Sequence, residues 1–251
     1  MVSEHPVRLV IDPGRTSEVR ALEKLIPGIQ LEHNQCTTAT RDADFYLRLW
    51  PEELRLHRGN DAKGVYLPMP EVARRAKRPG HSLLWRSLGL RGLASCSVLD
   101  ATGGFGLDSM LMRRWGCNVT VLERSPVMFA LLLDGLKRFG QTFPETSAVA
   151  VLKQDFLDYA LVAGGVDIVY LDPMFPPRNK SARPNKRAQY LAALLGEEAD
   201  PGYLDRLVET ALQLARKRVV VKRRRSDPNT IEFDWQIVGR SVRFDILQAS
   251  G

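Results

Sequence analysis

Glycine and acidic residues cluster at one point of this 251-residue chain, in a pattern that suits a nucleotide-like ligand. In VLDATGGFGLDS, Asp100 ends an apolar run, Gly104 and Gly106 follow, and a helical pattern begins. Glycines permit positive φ angles and close approach of a ligand to the backbone, and the helix behind them presents free amides. The spacing DxxxGxG differs from the dinucleotide fingerprint GxGxxG and fits the amino-acid end of S-adenosylmethionine (SAM). A tight turn is the alternative explanation of the glycines.

Two further acids stand where parallel strands would end. Glu123 closes NVTVLE, seventeen positions after Gly106, and Asp155 closes the third such segment, SAVAVLKQD. An acid at the end of the second strand accepts hydrogen bonds from both ribose hydroxyls. Asp155 is placed to accept from an adenine amino group, with Phe156 beside the ring, although Asp155 could equally cap a helix at FLDYAL. The acids and glycines together predict a SAM site.

The stretch YLDPMFPPRNKS, residues 170–181, indicates which reaction would take place there. Methylation of an exocyclic base amine needs acceptors that hold the NH2 group and an aromatic face that stacks on the base. Asp172 is the predicted acceptor and Phe175 the predicted stacking face, while Pro173 fixes the loop through its restricted φ. The reaction requires no metal. Prolines that merely end a strand at a surface turn are the alternative.

The segments that must position these residues alternate between strand and helix. Apolar runs end at Asp100, Glu123, Asp155 and Asp172, and a fifth run, RVVVKRRR, follows a helical pattern in PGYLDRLVETALQLARKR. Strands alternating with helices imply a doubly wound, mostly parallel sheet, which binds ligands at the carboxyl ends of its strands. FDWQIVGRSVRFDIL predicts a closing antiparallel hairpin around Gly239. The predicted fold is therefore α/β and Rossmann-like.

Helix boundaries are also readable in the sequence. LDSMLMRRWG predicts a helix that stops at Gly116. In SPVMFALLLDGLKRFG, Ser125 is the predicted N-cap, Pro126 the first helical residue and Gly140 the end.

Residues 1–75 do not show the regular alternation of strands and helices and are predicted to form a small α/β appendage. VRLVID, FYLRLW and ELRLHR read as strands and SEVRALEKLI as a helix. The basic stretch RRAKRPGHS marks the expected junction near residues 74–82, so the Rossmann-like domain is placed at residues 76–251.

The chain carries a formal net charge of +7, and its basic residues are clustered. One cluster follows the proline loop and contains Arg178, Lys180 and Arg183; another, RKRVVVKRRR, contains Lys222 and Arg223. Basic surfaces beside a site suit a polyanion such as nucleic acid, so these five residues are the predicted phosphate contacts. A solvated charged face is the alternative for any one cluster.

Composition argues against several classes of protein. Three scattered cysteines form no CxxC pair and four histidines form no HxxxH or HxH pair, so neither a disulfide framework nor structural zinc is expected. The cysteines are expected to be buried as small hydrophobes. No apolar run approaches the ~20 residues of a membrane span, and the N-terminal MVSEHPVRLVID lacks the features of a secretory signal. A cytoplasmic protein without a membrane partner is expected.

Asp172-Pro173-Met174-Phe175 resembles the (D/N)PP(F/Y/W) motif of amino-group methyltransferases that act on nucleic-acid bases, with Met174 in place of the usual second proline. Together with DATGGFGLDS, VLERSPVMFALLLDGL, KRVVVKR and RFDIL, this motif resembles the RsmJ family of bacterial 16S ribosomal RNA guanine-N2 methyltransferases, over about residues 64–248. The resemblance implies a class I methyltransferase fold with SAM as cofactor. It further implies methylation of one guanosine near the 3′ end of 16S rRNA, either as free rRNA or in the small ribosomal subunit.

The resemblance also implies roles for individual residues. An unpaired guanine would enter between Phe175 and the cofactor, with Asp172, Pro173 and Phe175 as the catalytic loop. The family usually has Arg-Asp where this chain has Leu107-Asp108, so a contact at Leu107 would use the backbone. Besides Asp100, Gly104 and Gly106, the implied cofactor contacts are Leu107, Asp108, Glu123, Arg124, Asp155, Phe156 and Asp172.

Three other functions stay open at this stage. A DNA amino-methyltransferase would share the short motif, although the chain lacks an obvious second domain for reading duplex sequence. A non-catalytic RNA-binding ribosome-assembly factor would keep the fold, but Asp100, Glu123 and Asp172 are all intact. A nicotinamide oxidoreductase is the most distant alternative, because GxGxxG is missing.

Overall fold

The computed structural model describes residues 8–11, 16–26, 29–33, 45–90, 96–144, 146, 148–173, 186–195, 202–229 and 231–249. Within those residues the chain forms a four-stranded sheet near the N-terminus and a seven-stranded sheet farther along.

The N-terminal sheet is built from β1 (Arg8–Ile11), β2 (Gln30–His33), β3 (Phe45–Leu49) and β4 (Leu54–Arg58), with α1 (Thr16–Leu25) between β1 and β2. Its order is β2-β1-β3-β4; β1 is parallel to β2 and β3, and β3 is antiparallel to β4. Residues of β3 alternate between buried and half-buried, because one face of the sheet packs on the core. The sequence does not predict β2, since QLEH offers a single apolar residue.

Short helices connect the two sheets. They are α2 (Met69–Ala76), a 3-10 turn at Pro79–His81, and α3 (Leu83–Leu88). The predicted junction at residues 74–82 therefore begins inside a helix. The hydroxyl of Ser82 caps α3 by accepting from the amide of Trp85 at 3.4 Å.

The main sheet runs at the centre of the molecule. Its strands are β5 (Ser97–Asp100), β6 (Asn118–Leu122), β7 (Ala150–Leu152), β8 (Val166–Leu171), β9 (Ala215–Arg224), β10 (Trp235–Val238) and β11 (Val242–Gln248). The order is β10-β11-β9-β8-β5-β6-β7. Strands β5 to β9 pair in parallel, and β11 runs antiparallel to both β9 and β10. The predicted α/β fold, with a mostly parallel sheet and an antiparallel C-terminal hairpin, is confirmed.

Helices cover both faces of this sheet. Besides α3 they are α4 (Leu107–Arg114), α5 (Pro126–Thr142), α6 (Phe156–Ala160) and α8 (Tyr203–Leu214), whereas α7 (Lys186–Leu195) packs in the cluster of the N-terminal sheet. One face packs against α3, α4 and α5, and the other against α6 and α8. Val219, Val220 and Val221 of β9 are consequently all 0% exposed, as expected for a parallel strand covered on both sides.

Helix α5 begins as its sequence predicts and ends two residues later than predicted. The hydroxyl of Ser125 accepts from the amide of Met128 at 3.4 Å, and Pro126 is the first helical residue. Gly140 is not among the glycines with positive φ, so it does not break the helix, which continues to Thr142. By contrast, Gly116 has a φ of 95° just after α4 ends, as predicted.

The N-terminal sheet and the main domain share one hydrophobic cluster. Leu47 and Leu56, both 0% exposed, belong to the same cluster as Met110 of α4 and Met128 of α5. Helix α2 also packs on α4 and α5. The division of the chain near residue 75 stays a prediction, and any such division cuts through this cluster.

Of the three cysteines, Cys96 and Cys117 are buried, as expected, and Cys36 lies outside the described residues. Their sulfurs are 3.3 Å apart at the amino ends of β5 and β6. Among the described residues, none of the helices has the length and apolar character needed to cross a bilayer. The same part of the chain holds no group of three or more His, Cys, Asp or Glu arranged to hold a metal ion.

Candidate active site

A cleft opens at the carboxyl ends of β5, β6 and β8. Its enclosed volume is about 80 Å³. Of the predicted cofactor and catalytic residues, Asp100, Gly106, Leu107 and Asp108 lie outside its lining. The lining residues are Ala101, Thr102, Gly104, Leu122, Glu123, Arg124, Gln154, Asp155, Phe156, Asp172, Pro173, Leu191, Leu195 and Tyr203.

The glycine loop adopts a conformation that requires its glycines. Gly104 and Gly106 have φ angles of 54° and 79°, which disfavour residues with a Cβ. A Cβ on Gly106 would also lie 2.5 Å from Cδ1 of Leu132. Gly106 occupies the N-cap position of α4 without a side-chain cap, so the loop leads directly into the free amides of a helix N-terminus.

Glu123 connects this loop to the end of β6. Its Oε2 accepts from the amide of Gly104 and its Oε1 from the amide of Ser125, both at 2.8 Å. The residue is 7% exposed, and burial raises its pKa above the usual value. Each oxygen retains a lone pair, so the carboxylate can still accept hydrogen bonds from a ligand in the cleft.

Asp155 caps α6, which is the second of the two roles that the sequence allows for it. Its Oδ1 accepts from the amide of Leu157 at 2.9 Å, and its Oδ2 lies 3.4 Å from Nη1 of Arg124. Arg124 also lies over the ring of Tyr203, 5.5 Å from its centre. Capping does not preclude a ligand contact, because Asp155 lines the cleft beside the buried Phe156. The contact with adenine stays a prediction.

Asp100 lies beneath the glycine loop. It is 2% exposed, accepts from the amide of Thr102 at 3.1 Å, and accepts from the hydroxyl of Ser109. Burial raises its pKa to about 7. Both of its oxygens are bonded to the chain itself, so the contacts present hold the loop onto α4.

Asp172 stands at the edge of the cleft, just after β8. Its amide donates to Oγ1 of Thr102 at 2.6 Å, and its Oδ2 lies 2.7 Å from Nζ of Lys222. The same ammonium lies 2.7 Å from Oδ2 of Asp108, which also accepts from the hydroxyl of Tyr170 at 2.6 Å. Strands β8 and β9 and helix α4 thus bring two carboxylates, a phenol and an ammonium together.

The charges in this group shift one another's pKa values. Burial alone would raise the pKa of Asp108, but Lys222 and Tyr170 outweigh it and the pKa lies below the usual value. Burial raises the pKa of Asp172; Asp108 adds to the rise and Lys222 opposes it. Burial would lower the pKa of Lys222, yet the two carboxylates raise it above its ordinary value. The two carboxylates and the ammonium therefore titrate as one coupled group.

The predicted phosphate contacts divide into two groups. Arg178, Lys180 and Arg183 lie outside the described residues, as does Phe175, the predicted stacking residue. Lys222 and Arg223 are described, and each has protein partners. Arg223 is 4% exposed and donates through Nη2 to the carbonyl of Pro228 at 2.7 Å, so a phosphate contact would require it to leave this position. Their contact with RNA stays a prediction.

Helix α7 forms a wall of the cleft that the sequence does not predict. Leu191 and Leu195 line the cleft. Neighbouring residues fix the helix to the N-terminal region, where the hydroxyl of Tyr190 donates to Asp61. The helix has two further ionic contacts there, Lys186 to Asp61 at 2.7 Å and Arg187 to Glu71 at 2.6 Å.

Comparisons with known proteins agree with this geometry. A family model described as "Putative SAM-dependent methyltransferase" matches residues 30–249. The ribosomal RNA small subunit methyltransferase J of Laribacter hongkongensis is 43% identical over 169 residues, which cover 64% of this chain and 59% of that protein. The protein of the same name from Aeromonas salmonicida is 39% identical over 191 residues, covering 71% and 75%. The chain thus spans about three fifths to three quarters of these relatives' length.

A solved structure supports the fold over the whole chain. The crystal structure of the SAM-dependent methyltransferase NGO1261 from Neisseria gonorrhoeae has a TM-score of 0.73 and 28% identity to this chain. The match covers 98% of this chain and 97% of that one. The family model and the relatives together confirm the resemblance to the RsmJ family: this chain belongs to the SAM-dependent methyltransferases and, among them, to the ribosomal RNA small subunit methyltransferase J family.

Proposed function

We propose that this chain methylates the exocyclic N2 of one guanosine near the 3′ end of 16S rRNA, with SAM as the methyl donor. The supporting observation is that Glu123, Asp155 and Asp172 follow the carboxyl ends of β6, β7 and β8 and line one cleft beside the glycine loop. This arrangement combines a ligand-binding loop, acceptors for a nucleoside, and an acceptor for the amine that would react.

The residues of the cleft fit SAM. Gly104 has a positive φ and lines the cleft, so the loop backbone can meet a ligand there. Carboxylates are the acceptors that ribose hydroxyls and an adenine amino group need, and Glu123 and Asp155 supply them. Phe156, Leu191 and Tyr203 provide apolar surface for an adenine ring. We assign the ribose to Glu123 and the adenine amino group to Asp155.

When bound, the cofactor supplies a methyl group on a sulfonium sulfur, which departs as a neutral thioether. The chain's own task is to hold the guanine amino group and to receive the proton that the amine loses. Asp172 suits both purposes, because Lys222 engages its Oδ2 and leaves Oδ1 to accept an N–H from the substrate. Its raised pKa favours proton transfer to it. Pro173 restricts the backbone that follows, and Phe175 is proposed to stack on the base.

Ribosomal RNA as substrate is supported by the names of the relatives and by the charge of the chain. A net charge of +7 attracts the phosphate backbone, so binding should weaken steeply with salt. The basic residues that follow the proline loop, Arg178, Lys180 and Arg183, are the proposed phosphate contacts, whereas Arg223 is buried beside Asp245 and Pro228.

The test uses 16S rRNA from a strain that lacks the gene. Purified protein is incubated with tritiated SAM and either this rRNA, small subunits from the same strain, or DNA, and modified nucleosides are mapped. Labelled N2-methylguanosine at a single position near the 3′ end is the expected result. Label on DNA bases would favour a DNA amino-methyltransferase, and absence of both label and SAM binding would favour a non-catalytic assembly factor.

A further inference from the structure

We propose that Lys222 is a positioning residue of the reaction, which holds the Asp172 carboxylate by Oδ2 so that Oδ1 meets the substrate amine, and that it does not bind RNA phosphate. The inference rests on the proposed function for its chemistry. It reassigns a lysine that the sequence places in a basic cluster.

The strand pairing places Lys222 in this role. Leu171 of β8 pairs with Val221 of β9, so the next residues, Asp172 and Lys222, lie side by side where the strands end. The side chain of Lys222 is 24% exposed, and its Nζ is 2.7 Å from Oδ2 of Asp172 and 2.7 Å from Oδ2 of Asp108. Two of its three N–H donors are therefore directed at carboxylates.

The charge of the group disfavours a phosphate at Lys222. One ammonium is shared by two carboxylates, so the three side chains together carry one negative charge, and the neutral hydroxyl of Tyr170 does not change it. A phosphate that approached would be repelled by Asp108 and Asp172 and would have to displace one of them. An ammonium between two carboxylates is better suited to fixing their positions.

Fixing Asp172 has a consequence for the pH dependence of catalysis. The positive charge of Lys222 lowers the pKa of Asp172 from the value that burial and Asp108 would otherwise give it. Loss of this charge raises that pKa, so the ionised acceptor appears only at higher pH. The charged or titratable groups of the described residues that act on this pair are Arg75 of α2, Asp100 of β5, Asp108 of α4, and Tyr170 of β8.

The experiment compares Lys222→Met, Lys222→Arg and Lys217→Met. Lys217 is the matched control. It lies on the same strand, and its Nζ lies 3.1 Å from the carboxylate of Asp167, away from the cleft. For each variant we measure kcat, KM for rRNA, the pH profile of kcat/KM and the salt dependence of RNA binding. The pKa of the Asp172 carboxyl is measured by carbon-13 NMR in the cofactor-free protein.

For Lys222→Met we expect kcat to fall at least about 100-fold while KM for rRNA stays within about twofold. The acid limb of the pH profile and the pKa of Asp172 should both move upward by about one unit. Lys222→Arg retains the charge, so it should keep the limb near its wild-type position and recover part of kcat. Lys217→Met should match the wild type in every measurement.

A phosphate contact makes the opposite prediction. If Lys222→Met raises KM for rRNA and reduces the salt slope by about one, with an unchanged pH profile and an unchanged pKa of Asp172, the inference is wrong. If Lys222→Met does not fold, Lys222→Gln takes its place, because it also removes the charge, and the same upward shift of the pH limb and of the pKa of Asp172 is expected. A wild-type protein that methylates no guanosine overturns the proposed function instead, and the NMR comparison still tests the coupling of Lys222 to Asp172.

Discussion

Among single residues, Asp172 is expected to affect methyl transfer without affecting cofactor binding. Its amide and Oδ2 are bonded to Thr102 and Lys222, and the proposed ribose and adenine acceptors are other residues. Asp172→Ala should therefore reduce methyl transfer at least about 100-fold, because it removes the proposed acceptor of the amine proton. SAM affinity, measured by calorimetry, should stay within about threefold. Asp158→Asn on α6 is the control. Full activity of Asp172→Ala would remove Asp172 from the mechanism.

Asp100 gives a pH-dependent prediction for stability. Its pKa is raised from 3.8 to about 7 by burial, so between these values the unfolded chain releases the proton and the folded chain keeps it. Stability contributed by this group is thus present at low pH and is lost as pH rises from about 4 to 7. Over this whole pH interval the free energy of unfolding falls by on the order of 4 kcal/mol. Asp100→Asn removes the dependence, since an amide can still bond to Thr102 and Ser109.

Urea unfolding of the wild type and Asp100→Asn at several pH values tests this. The variant should gain stability relative to the wild type as pH rises from 4 to 7, with no further change above about pH 8. A difference between the two proteins that is constant from pH 4 to 8 would mean that Asp100 ionises as easily in the folded chain as in the unfolded one.

How far the site is predictable from sequence differs from residue to residue. Glu123 and Asp172 are found because each ends an apolar run, and parallel strands bring their carboxyl ends to one edge. Lys222 is interpreted as part of a surface cluster, since RVVVKRRR does not reveal that β9 pairs with β8 in the register that joins Lys222 to Asp172. Its partners are 50 and 114 positions away, beyond any local pattern.

At the level of elements, the same limit applies to α7. The apolar residues of KRAQYLAALL do not lie on a single face: Tyr190 is buried against the N-terminal region, while Leu191 and Leu195 line the cleft. The sequence alone does not show these two surroundings. The strands and the long helix α5 are predictable since they carry strong periodicity and caps. Short helices such as α2 and α7 are stabilised mainly by tertiary contacts, and the sequence does not supply those.

The hydrogen bond between Tyr190 and Asp61 holds α7 in place, so we predict that Tyr190, which lies outside the cleft lining, affects SAM affinity. Tyr190→Phe keeps the edge-on contact with Phe45, whose ring centre is 6.0 Å away, and removes the hydroxyl that donates to Asp61. A hydrogen bond to a charged group contributes about 1.5–3 kcal/mol, so α7 should hold its position less firmly. We expect SAM affinity to fall about three- to tenfold by calorimetry and the melting temperature to fall by several degrees. Tyr159→Phe on α6 is the control, and equal affinities of the two variants would mean that α7 does not depend on this tether.

For the whole molecule, the stacking of four layers of secondary structure explains why the N-terminal region contributes to both the core and the cleft. The N-terminal sheet packs on α4 and α5, these helices pack on the main sheet, and α6 and α8 cover its far face. Asp61 and Glu71, which hold α7, also come from the N-terminal region. The appendage predicted from sequence therefore supports the wall of the cleft as well as part of the core.

This arrangement predicts that residues 76–251 do not fold stably alone. A chain that begins at residue 76 loses Leu47 and Leu56, both 0% exposed, and uncovers the apolar side of α5 around Met128. It should unfold without a cooperative transition and bind a hydrophobic dye at neutral pH. Leu56→Ala in the full chain is the milder comparison, and it should cost about 2–5 kcal/mol because it leaves a cavity in the shared cluster. A shortened chain that melts sharply, within a few degrees of the full chain, and binds SAM would instead establish residue 75 as a true domain boundary.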